Sequence, residues 1–253
     1  MRHLVTFGDS WVYGVGAGYR KELNSTQYEQ IRFVKTLCDS NSFRTFLSDF
    51  YQADNLNFAS QGSSNQRQFR LASEFLESNN KRLDNHLVLW GVTSLYRNEI
   101  WDEKTKSWFN FQYADKKIGK EYLMSFDHTK EIKKLVEKIK EMINKFKMLG
   151  ANIYFYDIFN HNDYMEHWND ISEYFLFGQY PKRDLLSILS GEYDTKHFFQ
   201  SNLDDNYADP RVRTGIYKEF LNPYSWHPTR KGHETISKLL VEELNDKNFN
   251  FNT

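Results

Sequence analysis

Apolar residues follow two rhythms along this chain. Four short runs, at residues 3–7, 56–59, 87–90 and 152–156, are rich in Leu, β-branched or aromatic residues. They are too short for helices, so they predict strands. Between them the apolar positions recur every three to four residues. Thr26 and Glu29 have capping-box spacing ahead of Ile31, Phe33, Val34 and Leu37. Residues 43–51 place Phe43, Phe46, Leu47 and Phe50 on one helical face. After Ser63 and Ser64, the series Phe69, Ala72, Phe75, Leu76 repeats that spacing. The clearest stripe is Ile132, Leu135, Val136, Ile139, Met142, Ile143 and Phe146, with lysines on the opposite face and Gly150 as its stop. A last helix after Pro228 uses Ile236, Leu239, Leu240 and Leu244.

Strands alternating with helices predict one α/β domain over residues 1–253, three layers deep, with a mostly parallel central sheet. Ligands of such sheets bind beyond the carboxyl ends of the strands, so chemistry is expected in the segments that follow each strand. Residues 158–222 break the rhythm. They are polar and aromatic and hold two of the four prolines, and they read as an insertion or lid. The tail at 248–253 is expected to fray.

Composition narrows the function classes. The 253 residues carry a net charge of −1, which offers no broad field for nucleic acid or an acidic membrane surface. Aromatics reach 17%, with 21 Phe and 16 Tyr. Cys38 is the single cysteine, so no internal disulfide forms, and its apolar surroundings predict a buried structural thiol. Met1 leads directly into a strand with no leader pattern and no long apolar span, which makes a cytoplasmic protein the default expectation.

The strand ends carry the candidate chemistry. Phe7-Gly8-Asp9-Ser10-Trp11 sets a serine in a tight turn after the first strand, where a nucleophilic hydroxyl is exposed and restrained. A serine that merely caps the next segment fits the same tripeptide. After the second strand, Ser60-Gln61-Gly62-Ser63-Ser64-Asn65 supplies a glycine whose backbone N–H can approach an oxyanion. After the third, Gly91-Val92-Thr93-Ser94 offers a small polar side chain to the same crevice. Near the end, His227-Pro228 precedes the last helix and holds an imidazole in a fixed loop, while His233 is assigned to structure. Together these segments supply a nucleophile, a base and oxyanion donors.

In these blocks the sequence resembles the SGNH (GDSL-type) hydrolases. That family has Gly-Asp-Ser near the N-terminus, a glycine after the second strand, Gly-x-Asn-Asp after the third and Asp-x-x-His near the end. The resemblance spans residues 3–94 and 224–244, with the helix and strand of 130–157 fitting between. It implies a flavodoxin-like α/β/α fold and an ester hydrolase, with Ser10 as nucleophile and His227 as base. It further implies an oxyanion hole from Ser10, Gly62 and Thr93, and no cofactor or metal. Small acyl groups on carbohydrate are the implied substrates, with lipid-like esters next. Two blocks depart from the pattern. Thr93 and Ser94 stand where the family has Asn-Asp, and Tyr224 stands where it has the triad aspartate. Asp205, Asp209 and Glu219 are the nearby carboxylates that could replace it. The same departures motivate the alternative of a family member that has lost catalysis and binds a glycan or a protein.

Other constellations carry less. Gly14-Val15-Gly16-Ala17-Gly18 lacks dinucleotide-loop spacing and reads as a flexible loop beside the nucleophile. His161 and His167, near Asp157, Asp163 and Asp170, match no ligand spacing and read as solvated loop residues. The aromatics Tyr164, Trp168, Tyr174, Phe175, Phe177, Phe198, Phe199 and Tyr207 fit a small core or oligomer interface, or sugar stacking beside the site.

Overall fold

The computed structural model describes residues 1–79, 81–112, 124–159, 164, 167–178, 184–190, 219–222, 225 and 227–251. Four parallel strands form the central sheet: β1 (His3–Phe7), β2 (Asp54–Asn57), β3 (His86–Val92) and, counting a hairpin before it, β6 (Asn152–Asp157), in the order β2-β1-β3-β6. The expected second strand at 56–59 starts and ends two residues earlier, because Asp54 and Asn55 already pair with His3 and Leu4.

Side chains alternate across this sheet into two cores, which explains why the strands read as continuous apolar runs. Leu4, Leu87, Leu89 and Tyr156 face one core, shared with Phe43 and Leu47 of α4 (Phe43–Tyr51) and with Ile236, Leu240 and Leu244 of α9 (Arg230–Asp246). Val5, Phe7, Val88, Trp90, Ile153 and Phe155 face the other, shared with α5 (Asn65–Ser78) and α6 (His128–Met148). The layers are therefore helix, sheet, helix. No helix among the described residues is long and apolar enough to cross a membrane.

Caps fix most helix ends. Ser64 accepts the Arg67 N–H to start α5, Asp127 starts α6, and Thr229 starts α9 by accepting from Gly232. The expected Thr26/Glu29 capping box lies two residues earlier, between Asn24 and Gln27, and opens α2 (Ser25–Ile31). The chain then breaks before α3 (Lys35–Ser40), which buries Cys38, so the thiol is the structural one expected, pushed up to about 11 by burial. On α4, Phe50 is 60% exposed and lies off the face that buries Phe43 and Leu47.

Three features depart from or add to the expected layout. An antiparallel hairpin, β4 (Arg97–Asp102) and β5 (Ser107–Gln112), follows the third strand. The tail does not fray through residue 251: Phe249 and Phe251 are buried against Tyr51, with ring centroids 5.7 and 5.6 Å away. The described parts of 158–222 pack onto the two main cores. Tyr164, Trp168 and Phe175 cluster by the β6 edge, where the Leu176 N–H donates to the Phe155 carbonyl at 2.8 Å. Leu185, Leu186 and Leu189 of α8 (Leu185–Ser190) join the α4–α9 side. Phe198, Phe199 and Tyr207 lie outside the described residues.

Candidate active site

The site is built where β1 ends. Asp9 caps the four-residue helix α1 (Ser10–Tyr13), its Oδ1 accepting the Trp11 N–H at 2.9 Å. Gly8 and Gly91 both lie tight against the Val12 side chain, so a β-carbon at either position would displace α1. From the other side the buried Arg44 clamps the end of α1. Its guanidinium donates to the Val12 and Tyr13 carbonyls at 2.7 and 2.9 Å and pairs with Asp39 at 3.2 Å. These contacts leave Ser10 with 7% exposure and a fixed backbone.

Asp9 does structural work of its own. Its Oδ2 accepts from the Thr93 hydroxyl at 2.8 Å and from the Arg97 guanidinium at 2.6 Å. Asn65 grips the same strand end, exchanging two hydrogen bonds with the Thr93 backbone at 2.9 and 3.0 Å. A hydroxyl has one hydrogen, and that of Thr93 is spent on Asp9. Here Thr93 is a buttress between the first and third strand ends, and the expectation that it donates to an oxyanion gives way.

The glycine loop lies alongside. The Ser60 N–H donates to the Gly8 carbonyl at 3.2 Å, and Gly62 turns with a φ of 63°. Among the described residues, neither the Ser10 N–H nor the Gly62 N–H is used by a protein acceptor.

His227 arrives from the far end of the chain. Its loop is closed by the Asn222 N–H donating to the His227 carbonyl at 2.8 Å and by the Leu221–Pro228 bridge, which feed directly into the Thr229 cap of α9. The segment Gly14–Gly18, expected as a flexible loop, packs instead, with Val15 and Ala17 buried. Gly16, at a φ of 94°, lies under this loop. A β-carbon there would sit 2.5 Å from the Pro228 carbonyl oxygen and 2.7 Å from the His227 β-carbon.

The structure brings Ser10 and His227 together: Nε2 stands 2.8 Å from the Ser10 Oγ. Burial, with the opposing influence of Asp9 and the reinforcing charge of Arg97, lowers the imidazole to about 4, so the ring is neutral at neutral pH. The other ring nitrogen, Nδ1, is 3.0 Å from the Ser225 Oγ, and the Ser225 carbonyl also favours the protonated ring. The Ser225 hydroxyl in turn lies 2.9 Å from the Tyr28 hydroxyl. Among the described residues no carboxylate is hydrogen-bonded to Nδ1. Glu219 is engaged with Lys231 at the surface, while Tyr224, Asp205 and Asp209 lie outside the described residues.

Neighbouring features do not join this pair. A cavity of about 600 Å³ between the start of α5, β4 and α6 is lined by Asn65, Leu95, Glu131, Lys134 and Glu141 and includes neither Ser10 nor His227. No group of three metal-ligating side chains occurs among the described residues; Asp157 accepts from Tyr164 and Asp170 from Lys140, while His161 and Asp163 lie outside them. His233 is buried on α9, stacked on Phe43 at 5.9 Å and held neutral by burial, with its pKa near 3.

No protein-family model and no curated protein sequence matches the chain. Among solved structures it is similar to a psychrotrophic esterase from Pseudoalteromonas sp., at 14% identity and a TM-score of 0.46 over 97% of this chain and 98% of that one. It is also similar to an acetyl xylan esterase from the rumen bacterium Butyrivibrio proteoclasticus, at 12% identity and a TM-score of 0.49 over 97% of this chain and 64% of that one. A lipolytic protein of the G-D-S-L family from Veillonella parvula gives 10% identity and a TM-score of 0.42 over 97% and 99%. Two of these three solved structures are named as esterases and the third as a lipolytic protein of the G-D-S-L family.

Proposed function

We propose that the chain is a serine ester hydrolase of the SGNH type. The observation that carries this reading is the 2.8 Å contact between the Ser10 hydroxyl and a neutral imidazole at the carboxyl end of a parallel sheet. Ser10 Oγ attacks the acyl carbon while its proton passes to His227 Nε2. The backbone N–H groups of Ser10 and Gly62 receive the oxyanion. Collapse of the tetrahedral intermediate breaks the ester C–O bond, and Nε2 returns the proton to the departing alkoxide. Water, deprotonated by Nε2, then attacks the acyl-serine; its collapse releases the acid and restores Ser10. Thr93 and Arg97 hold Asp9, and through it the turn that carries the nucleophile.

The test is a Ser10→Ala variant assayed on p-nitrophenyl acetate. Turnover should fall by about 10⁴-fold or more, and equal rates in variant and parent would remove the assignment. A fluorophosphonate probe should label Ser10 in the parent. Absence of labelling would support the alternative, a glycan- or protein-binding relative without catalysis.

For substrate class, the reading is a short acyl ester on carbohydrate. The hairpin that begins at Arg97, beside Asp9, leaves Trp101 and Trp108 41% and 47% exposed, their rings edge-on at 5.5 Å with the Arg70 guanidinium 5.2 Å over one side of Trp108, and the indole surface left open suits a sugar ring. Trp101→Ala and Trp108→Ala should each raise KM for an acetylated oligosaccharide while leaving p-nitrophenyl acetate unchanged. Equal effects on both substrates would reject a sugar platform.

A further inference from the structure

The group that backs a catalytic histidine orients the ring and stabilises its cation, and in the well-studied triad that group is a buried carboxylate. Here Nδ1 meets a hydroxyl, and that hydroxyl meets a second one. Four side chains from three distant parts of the chain lie in sequence at hydrogen-bond length: Ser10 Oγ to His227 Nε2 at 2.8 Å, His227 Nδ1 to Ser225 Oγ at 3.0 Å, and Ser225 Oγ to Tyr28 Oη at 2.9 Å. Tyr28 is fully buried on α2, which is fixed at its start by the Asn24–Gln27 capping box, and its ring packs edge-on to Tyr19 at 5.8 Å. The contact is tertiary, spanning 197 residues of sequence, and its Tyr28 end is fully buried.

We propose that Ser225 and Tyr28 form a neutral relay that positions His227 and replaces the carboxylate of a Ser-His-Asp triad. This inference rests on the hydrolase reading above. The Nδ1–H donates to Ser225 Oγ, and the Ser225 O–H donates to Tyr28 Oη. When Nε2 takes the proton of Ser10, both nitrogens carry hydrogen and the cation is shared with the Ser225 oxygen. Ser225 and Tyr28 each keep their proton throughout. Burial raises the Tyr28 phenol to about 12, with the Ser225 hydrogen bond and then Arg32 opposing the shift and Glu29 and Cys38 adding to it, so it stays protonated in the working range. The charged groups bearing on His227 itself are Asp9, Arg97 and Arg32. A relay without a negative charge holds the ring in register and gives its cation less support than a carboxylate would.

Both residues are positioning residues, and a kinetic double-mutant cycle tests them as a unit. Ser225→Ala should lower kcat about tenfold with KM unchanged, the scale of one neutral hydrogen bond. Tyr28→Phe, which keeps the ring and its packing, should lower kcat about threefold, on the order of half that contribution. Because Tyr28 acts through Ser225, the double variant should be no slower than Ser225→Ala. Additive losses, or an unchanged kcat in Ser225→Ala, would overturn the relay. A second measurement needs no turnover: Ser225→Asp places a carboxylate at Nδ1 and should raise the His227 pKa, followed by NMR, by about two units. An unmoved His227 titration would show that Nδ1 does not face position 225 and would also overturn the proposal. If the parent hydrolyses no ester but Ser225→Asp shifts His227, the hydrolase reading fails while the placement of position 225 at Nδ1 stands. If the parent is active and indifferent to position 225, the reverse holds.

Discussion

On the nucleophile side of the site, Asp9 is fully buried, caps α1, and takes hydrogen bonds from Thr93 and Arg97, while Arg44 clamps the end of the same helix. On the base side, His227 is met by the neutral hydroxyls of Ser10 and Ser225 and by the backbone of its own loop. Full charges thus hold the half that stays still, while the ring where a proton moves is hydrogen-bonded to neutral groups, with Asp9, Arg97 and Arg32 acting on it through space. A carboxylate locked to a guanidinium fixes geometry strongly, because losing either partner strands the other. Near the imidazole the same device would stabilise the charged ring and raise its pKa. Burial, with Asp9 locked to Arg97 rather than hydrogen-bonded to the ring, lets the imidazole remain an unprotonated base over a wide acidic range.

The largest expected effect lies on the charged side. Asp9→Ala should cost about 3–5 kcal/mol in urea unfolding, toward the lower end because the Arg97 side chain is 18% exposed and can reach water. A loss below about 1 kcal/mol would show that the pair is no more than a surface contact. Next is Gly16→Ala, whose β-carbon would press on His227 and Pro228 at 2.7 and 2.5 Å from a left-handed backbone. It should cost about 1–3 kcal/mol and lower kcat more than it raises KM.

The pH dependence comes third and follows from both histidines. In the unfolded chain each takes up a proton near pH 6.5, whereas the folded values are about 4 for His227 and about 3 for His233. The unfolded state therefore binds more protons between these limits. Stability is fully present above about pH 6.5 and is lost progressively as pH falls toward 4 and then 3. His233→Leu should flatten that acid slope. For catalysis, the acidic limb of kcat/KM should fall near pH 4, and a limb near 6.5 would mean that the imidazole is solvated. Thr93→Val is the smallest. With its hydrogen bond to Asp9 removed, stability should drop by about 1 kcal/mol and kcat should change little. A loss of about a hundredfold or more would restore Thr93 as an oxyanion donor.

Much of the scaffold was legible in the sequence because its signals are local. The 132–146 stripe, the helix starts after Ser64 and Pro228, and the apolar runs at 3–7 and 87–90 each act within a few residues of where they are written. The hairpin at 97–112 was not: Trp101 faces Trp108 across it, but its outer residues are exposed, so it carries no clean alternation between core and solvent. Phe249 and Phe251 were read as a loose end because the groove beside Tyr51 that receives them is made by tertiary packing. Around the site, Ser10 and His227 stood out through the motifs they sit in. Ser225 and Tyr28 could not, since hydroxyl groups 197 residues apart have no spacing signature. The one local hint was that Ser225 lies between the expected acid position and the histidine. Thr93 was readable as a polar group in the crevice, but the direction of its hydrogen depends on Asp9 and Arg97.

The Ser10–His227 contact joins residues 217 positions apart. A loop that long closes late in folding, because the chain surrenders its freedom before the contact repays it. During synthesis the nucleophile turn can be complete, packed and capped while its partner histidine has yet to be made. The Ser10–His227 pair is therefore complete only when α9 docks against the sheet face that carries α4, and on the proposed reading ester cleavage should return on refolding with the slowest structural phase.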